Sequence, residues 1–312
     1  MTQKELLYIS AIADAGTISK AAEQLFIAQP SLSRCLQKIE ADLGVELFKR
    51  TPDGLKPTVA GECYLESAQK ILKTYKEMEC RISQIGDMRV GKLVIGTTTF
   101  LGTFALPQVL YTFHALYPNI EVTIVENVSM GIENELIRGN VDLGLIHTPI
   151  IDEALTFVTL AEERFLLAVP PCDPINDHFY VKDITGEKYL DIGLTANRDY
   201  ILTHSSQRTR QIADAVLARA GIKPRVRFTT KSIQTATRLV NADLGFSLVP
   251  HSYCSLFSSD YLPRYYFIEP QYQPTWELAI GYSSDIPLSK AAMEFIRISK
   301  ETIPYLYKAD NI

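Results

Sequence analysis

Residues 18–50, ISKAAEQLFIAQPSLSRCLQKIEADLGVELFKR, decide how the rest of this chain is organised. Thr17 is placed to cap a short helix over residues 18 to about 25, because its hydroxyl can accept a backbone N–H that the first turn leaves unpaired. Phe26, Ile27 and Ala28 then break the helical register. A second helix starts at Gln29 and Pro30, where proline's missing N–H costs least, and runs to about Leu43 before Gly44 stops it. In that helix Leu32, Leu36, Ile39 and Leu43 recur at helical spacing and face inward, leaving Gln29, Ser31, Ser33, Arg34, Gln37 and Lys38 outward. Two short helices at a tight turn fit a helix-turn-helix, whose second helix presents its first residues to base edges in the major groove. Gln29 suits adenine, Arg34 suits guanine, and Ser33 and Lys38 suit phosphates. A solvated helical hairpin shows the same outline, so further residues must decide.

Those residues are present. The stretch resembles the N-terminal domain of LysR-type transcriptional regulators, which reads A-A-x-x-L-x-x-(S/T)-Q-P-(A/S)-(L/V)-S, then (L/I)-E-x-x-L-G-x-x-L-F-x-R, then L-T-x-A-G. Ala21, Ala22, Leu25, Gln29, Pro30, Ser31, Leu32, Ser33, Ile39, Glu40, Leu43, Gly44, Leu47, Phe48, Arg50, Thr58 and Gly61 match. The resemblance continues over essentially the whole chain. It implies a winged helix-turn-helix, all-α with a small β wing, over residues 1–58, and a long dimerising linker helix over 59–87. Residues 88–312 then form an α/β effector domain of two subdomains, like the periplasmic solute-binding fold, the first from 92–161 with 268–312 and the second from 162–267. The DNA contacts it implies are Gln29, Pro30, Ser31, Ser33, Arg34, Lys38 and Arg50.

With 312 residues and 46% hydrophobic content the chain has ample material for two or three cores. No run approaches a membrane span, and the N-terminus lacks the basic and apolar regions of a signal peptide, so a cytoplasmic location without membrane attachment is expected. Cys35, Cys63, Cys80, Cys172 and Cys254 show no metal-ligand spacing and read as reduced thiols, with a redox pairing of Cys172 with Cys254 only a minor alternative. The net charge of −5 does not announce nucleic acid, and residues 1–62 carry seven basic side chains against eight acidic. The basic ones, Lys4, Lys20, Arg34, Lys38, Lys49, Arg50 and Lys56, mostly fall on the reading helix and the hairpin after it. Such a local strip releases counterions from the duplex, and a dimer doubles it.

Leu6, Leu7, Ile9, Ile12 and Ala13 mark a first, supporting helix. KRTPDGLKPT over residues 49–58 resembles the family's wing hairpin, with Arg50 placed for phosphate or minor groove. Three departures stand out: Asp53 where a basic residue is usual, with Lys56 a substitute; Pro57 where leucine is usual; and Ala28 where a Ser or Thr cap is usual, a loss of about 1 kcal/mol. From Thr58 to about Asp87 there is no proline, and Tyr64, Ala68, Ile71, Tyr75, Met78, Ile82 and Ile85 alternate at spacings of four and three. A helix roughly 40 Å long with such a seam needs a partner. The expected partner is a second copy, so the operator should be an imperfect inverted repeat. Residues 86–91 read as a hinge.

From Lys92 onward short apolar strands alternate with helices, at 92–97, 120–126, 141–147, 164–169, 200–203, 226–230, 244–249 and 276–282, a pattern that predicts parallel sheets covered by helices. The chain is expected to cross between subdomains near Glu162 and return near Ile268. Ligands in such folds bind where strand ends meet helix starts. Thr98, Thr99, Ser129, His147, Thr148, Thr203 and Ser205 fall at those points, and the hydroxyls among them suit a small anion, often a carboxylate. Thr230-Lys231-Ser232 repeats the arrangement. Plain N-capping explains any one of these; recurrence at five strand ends favours a pocket. Asp243 departs from the family's Val-x-x-Gly-x-Gly and should alter a turn.

The rival class is an enzyme or small-molecule-binding α/β protein with a degenerate head. Neither a G-x-S-x-G elbow, a G-x-x-x-x-G-K-[ST] loop, a G-x-G-x-x-G after a strand nor an H-E-x-x-H is present, and the five histidines are dispersed. No cofactor is expected beyond a small-molecule effector. The resemblance further implies a homotetramer built from two dimers and, in many members, contact with RNA polymerase. The mechanism expected is allosteric: effector binding selects one closure of the subdomains and so resets the spacing of the heads.

Overall fold

The computed structural model describes residues 2–85, 91–150, 152–255 and 262–307, without the side chains of 83–85 and 255. It divides into two units, 1–87 and 88–312. In the first unit α1 (Gln3–Ala15) begins with a capping box between Thr2 and Glu5 and ends at Gly16 in the left-handed conformation. Thr17 caps α2 (Ile18–Gln24) through the Lys20 N–H, and α3 (Gln29–Leu43) starts with Pro30 in its first turn and stops at left-handed Gly44. Ile9, Ile12, Ala21, Leu32, Leu36, Ile39, Leu47 and Phe48 form the core. Leu43 and Leu7, expected inward, are exposed instead. Strands β1 (Phe48–Thr51) and β2 (Gly54–Pro57) pair antiparallel as the wing, and α4 (Val59–Ile85) follows. Tyr64 and Leu65 pack on the head's core and Ala68 is fully buried, but Ile71, Tyr75, Met78 and Ile82 are 39% to 60% exposed. The seam is therefore satisfied near its start and bare beyond it. The hinge expected at 86–91 lies, except for Gly91, outside the described residues.

The second unit runs β3 (Gly91–Thr97), α5 (Thr99–Phe104), α6 (Leu106–Leu116), β4 (Ile120–Glu126), α7 (Ser129–Arg138), β5 (Leu143–His147), β6 (Leu155–Val169), β7 (Tyr180–Val181), β8 (Lys188–Tyr189) and β9 (Asp199–Thr203). It continues through α8 (Arg208–Arg219), β10 (Arg225–Thr230), α9 (Ile233–Asn241), β11 (Ser247–Pro250), α10 (Ser252–Ser255), β12 (Arg264–Phe267), β13 (Thr275–Ser283) and α11 (Lys290–Leu306). β3 lies parallel to β4 and β5, but β13 runs antiparallel between β5 and β6, and β11 and β12 are antiparallel to β6. The large sheet is thus mixed, because β6 carries the chain out of the first subdomain and β13 carries it back alongside, while β9 and β10 pair parallel as expected.

Two cores result. Leu93, Ile95, Leu101, Phe113, Leu145, Leu278, Ile280 and Phe295 belong to the first. Phe165, Leu167, Tyr200, Leu202, Val216, Phe246, Ile268 and Trp276 belong to the second. The return expected at Ile268 therefore comes later, between Trp276 and Leu278 on β13. The departure at Asp243 takes up a left-handed turn after α9, φ 64°, which aspartate tolerates better than most residues.

Candidate functional site

In the head, Gln29, Pro30, Ser31, Arg34 and Gln37 are exposed on α3 and Ser33 is half-buried. Ala28 provides no side-chain cap, and Arg34 Nε turns back to the Pro30 carbonyl at 3.3 Å. Lys38 does not project freely: its Nζ lies 3.5 Å from Glu5 of α1, whose carboxylate also closes the capping box and sits below the usual carboxylate range through its hydrogen bonding to Thr2, then to Lys38. Arg50 is exposed on β1 opposite Leu55. Asp53 is answered by Lys56 at 3.5 Å, so the wing's acidic departure is neutralised within the hairpin.

Motif residues that touch nothing outside the head hold this surface in place. Glu40 accepts the Leu47 and Phe48 N–H groups at 2.7 and 3.2 Å, fixing the chain between α3 and the wing. The Thr58 hydroxyl donates to the Glu46 carbonyl at 2.7 Å and accepts the Gly61 N–H at 3.1 Å, which starts α4. The Leu55 N–H donates to the Gly16 carbonyl at 2.7 Å, and Gly54, at φ 120°, sits where a Cβ would lie 2.6 Å from that same oxygen. The wing is thus docked on the end of α1.

The effector unit sorts its expected contacts into two groups. Thr98 caps α5 through the Leu101 N–H at 3.5 Å, Thr148 exchanges hydrogen bonds with the Glu277 backbone at 2.8 and 3.0 Å, and Thr203 bonds Thr209 at 2.8 Å within the core. These hydroxyls are committed to the fold. His147 is buried, stacked on Trp276 at 3.7 Å between centroids, with Nε2 3.6 Å from Glu163 Oε2. Burial holds its pKa below the ordinary histidine value against the opposing pull of Glu163, so it is a neutral structural residue at pH 7. By contrast Thr99 on α5, Ser129 on α7 and Ser205 before α8 make no side-chain hydrogen bond among the described residues. Neither α7 nor α8 has a side-chain cap. Three unused hydroxyls therefore stand at helix starts contributed by both subdomains.

Residues that periodicity did not single out join the subdomains. Glu163 on β6 accepts the Ser252 N–H and the Trp276 indole N–H, each at 2.7 Å. Burial alone would raise its pKa, yet His147 and these hydrogen bonds hold it below the usual carboxylate range. Phe100 stacks on Tyr253 at 3.6 Å, and Arg208 reaches Glu133 and the His147 carbonyl. Only the position of Arg208 directly after the Thr203–Ser205 stretch gave a hint. All five cysteines are free: Cys172 is exposed, and Cys254 is a thiol whose pKa burial raises. No group of His, Cys, Asp and Glu among the described residues could hold a metal ion, and no helix among them is long and apolar enough to cross a membrane.

A DNA-reading head joined to an α/β effector unit defines a transcriptional regulator with a ligand-responsive domain. The family model described as bacterial regulatory helix-turn-helix protein, lysR family, matches residues 3–62, and that described as LysR substrate binding domain matches residues 86–304. The chain belongs to the LysR family of DNA-binding transcriptional regulators. It is 31% identical to the uncharacterized HTH-type transcriptional regulator YcgK of Bacillus subtilis (strain 168), over 97% of this chain and 95% of the relative. In fold it is similar to full-length OxyR from Pseudomonas aeruginosa, with TM-score 0.67, 22% identity and coverage of 97% and 94% of the two chains. It is also similar to full-length CbnR complexed with its target DNA, with TM-score 0.54, 23% identity and coverage of 97% and 99%. The relatives are named transcriptional regulators, which fits a regulator and not an enzyme.

Proposed function

We propose that this regulator reads an imperfect inverted repeat in double-stranded DNA as a homodimer joined through α4, assembled further into a homotetramer, and that a small anionic metabolite bound between the two effector subdomains controls it in the cytoplasm. The observation that carries the effector reading is the set of unused hydroxyls, Thr99, Ser129 and Ser205, at helix starts of both subdomains. The bare stretch of α4 from Ile71 to Ile82 supports the dimer, since a long amphipathic helix is stable only with its stripe covered. Where the protein activates, RNA polymerase is the expected further partner. CbnR, seen on its target DNA, supports the use of the head in the same manner.

Arg34→Ala is expected to weaken binding to the operator by about tenfold or more, the worth of one bidentate base contact, and Gln29→Ala to relax the preferred sequence. Thr99→Ala should leave operator affinity unchanged and abolish the effector's influence on it. Fluorescence anisotropy on DNA from beside the protein's own gene, at several salt concentrations, reads all three. Wild-type affinity in Arg34→Ala at moderate salt would show that α3 is not the reading helix.

A further inference from the structure

Arg208 opens α8 in the second subdomain, and Glu133 lies in α7 of the first, yet their side chains pair directly. The guanidinium gives Nη2 to Glu133 Oε1 and Nη1 to the carbonyl of His147 at the end of β5. The two side chains are 11% and 13% exposed, so both charges are largely withdrawn from water. Burial lowers the guanidinium's pKa and Glu133 raises it, with burial prevailing. Withdrawing an ion pair this far is a poor source of stability, because lost hydration offsets most of the attraction.

Position gives the pair its meaning. Glu133 stands one helical turn after Ser129, on the same face, and Arg208 follows Ser205 by three residues. The pair therefore occupies the same helix starts as the unused hydroxyls. Its fork is also split: one arm holds a single carboxylate oxygen, the other a backbone carbonyl, and no acceptor among the described residues takes the two arms in parallel. A free carboxylate of a ligand can do so, and that bidentate geometry is the stronger one.

We propose that Arg208 is the anchor for a carboxylate of the effector, and that Glu133 is a built-in substitute which occupies Arg208 until the effector displaces it. This rests on the reading that the effector binds between the two subdomains. Displacement frees Glu133 toward water and unties α8 from α7 and β5 in the same event, so binding and a change in subdomain closure are one step. Glu133 also acts as a filter. A neutral amide of the same shape offers the guanidinium one carbonyl acceptor and no charge, too little to displace a carboxylate.

The test uses the full-length protein with a panel of mono-, di- and aromatic carboxylates, each beside its neutral amide, read by thermal shift and by the fluorescence of Trp276, the chain's one tryptophan, which stacks on His147. At least one acid is expected to bind wild type about tenfold or more tighter than its amide. Glu133→Gln should tighten that acid by about tenfold and leave the amide unchanged, since only the competitor is removed. Arg208→Gln should lose the acid, and Arg208→Lys, which keeps the charge without the fork, should bind it weakly. Melting of each variant without ligand shows that it is folded. Equal binding of acid and amide, an unchanged or weakened acid in Glu133→Gln, or a retained acid in Arg208→Gln overturns the proposal. A neutral or cationic compound lost in Thr99→Ala but kept in Arg208→Gln overturns it while the cleft reading stands. Silence from every compound, screened alongside neutral and cationic ones, sinks both.

Discussion

Gly61→Ala is expected to disable the reading head although residue 61 is buried in the first turn of α4 and lies outside the reading helix. A Cβ there would lie 2.0 Å from the Leu47 carbonyl oxygen, in the backbone that leads into the wing, and 3.3 Å from the side-chain Cβ of Pro57 at the wing's end. Backbone cannot swing aside as a flexible side chain can, so α4 must back away from β1. The Gly61 N–H to Thr58 bond that starts α4 goes with it. A cost of about 3 kcal/mol or more follows, a large share of what a small domain has. Operator affinity should fall at least about a hundredfold, and circular dichroism should show an earlier first unfolding transition. Gly44→Ala is the control. Gly44 ends α3 at φ 71° with nothing within 4 Å of a new Cβ, so only the left-handed conformation is penalised, by about 1 kcal/mol. Equal losses in the two variants would show that glycine's flexibility, and not the close approach of α4, matters at residue 61.

Glu163→Ala should be the most damaging single change in the effector unit. It strands two buried donors, the Ser252 N–H and the Trp276 indole, and takes away the carboxylate beside His147. Breaking a buried charged network of this kind costs about 3–5 kcal/mol, and thermal unfolding of the effector unit should move down by many degrees, with a changed Trp276 emission maximum. The same cluster sets an acid limit. His147 and His251 are held below their ordinary pKa, chiefly by burial, so the unfolded chain binds more protons than the folded one as pH falls through the free histidine value of 6.5, and stability drops. Glu163, held below 4.5, adds a second loss of the same sign below that pH. Melting temperature should therefore decline from pH 7 toward pH 4, and His147→Gln should flatten the upper part of the decline without removing it, because His251 remains. A melting temperature that is flat or rising on acidification would contradict this assignment.

The head was legible because its signals are local. Thr17, Pro30 and Gly44 fix the ends of α2 and α3 through bonds within a turn, and the structure places those ends where the residues do. Lys38 shows the limit: helical spacing turned it outward, but the capping box of α1 brings Glu5 to it from 33 residues away. In the effector unit the first half of β6 was missed, because Ala161-Glu162-Glu163 looks like a solvated loop and the partners that make Glu163 buriable lie 89 and 113 residues distant. The parallel direction expected holds for β3, β4 and β5 and for β9 with β10, but was misjudged for β6, β11 and β13, since apolar runs look alike in parallel and antiparallel neighbours. Thr203 looked free only until Thr209 was folded against it. Hydroxyls that bond at long range cannot be told by spacing from those left for a ligand.

β6 pairs with β13 from Leu155 to Arg164, except where the register slips between Leu278 and Ala279 and passes over Leu160. Such an irregularity bends a ribbon and increases its twist. The slip falls just before Ala161 to Arg164, where the strand passes from one core to the other. The two halves of the effector unit are therefore coupled by a pleated two-strand spring with its crease already set, and not by a slack tether. Rocking about that crease is the soft direction, while sliding or splaying would break the ladder on either side. Any change in closure between the two halves would turn on this preset joint, in addition to releasing side-chain ties such as Arg208 to Glu133.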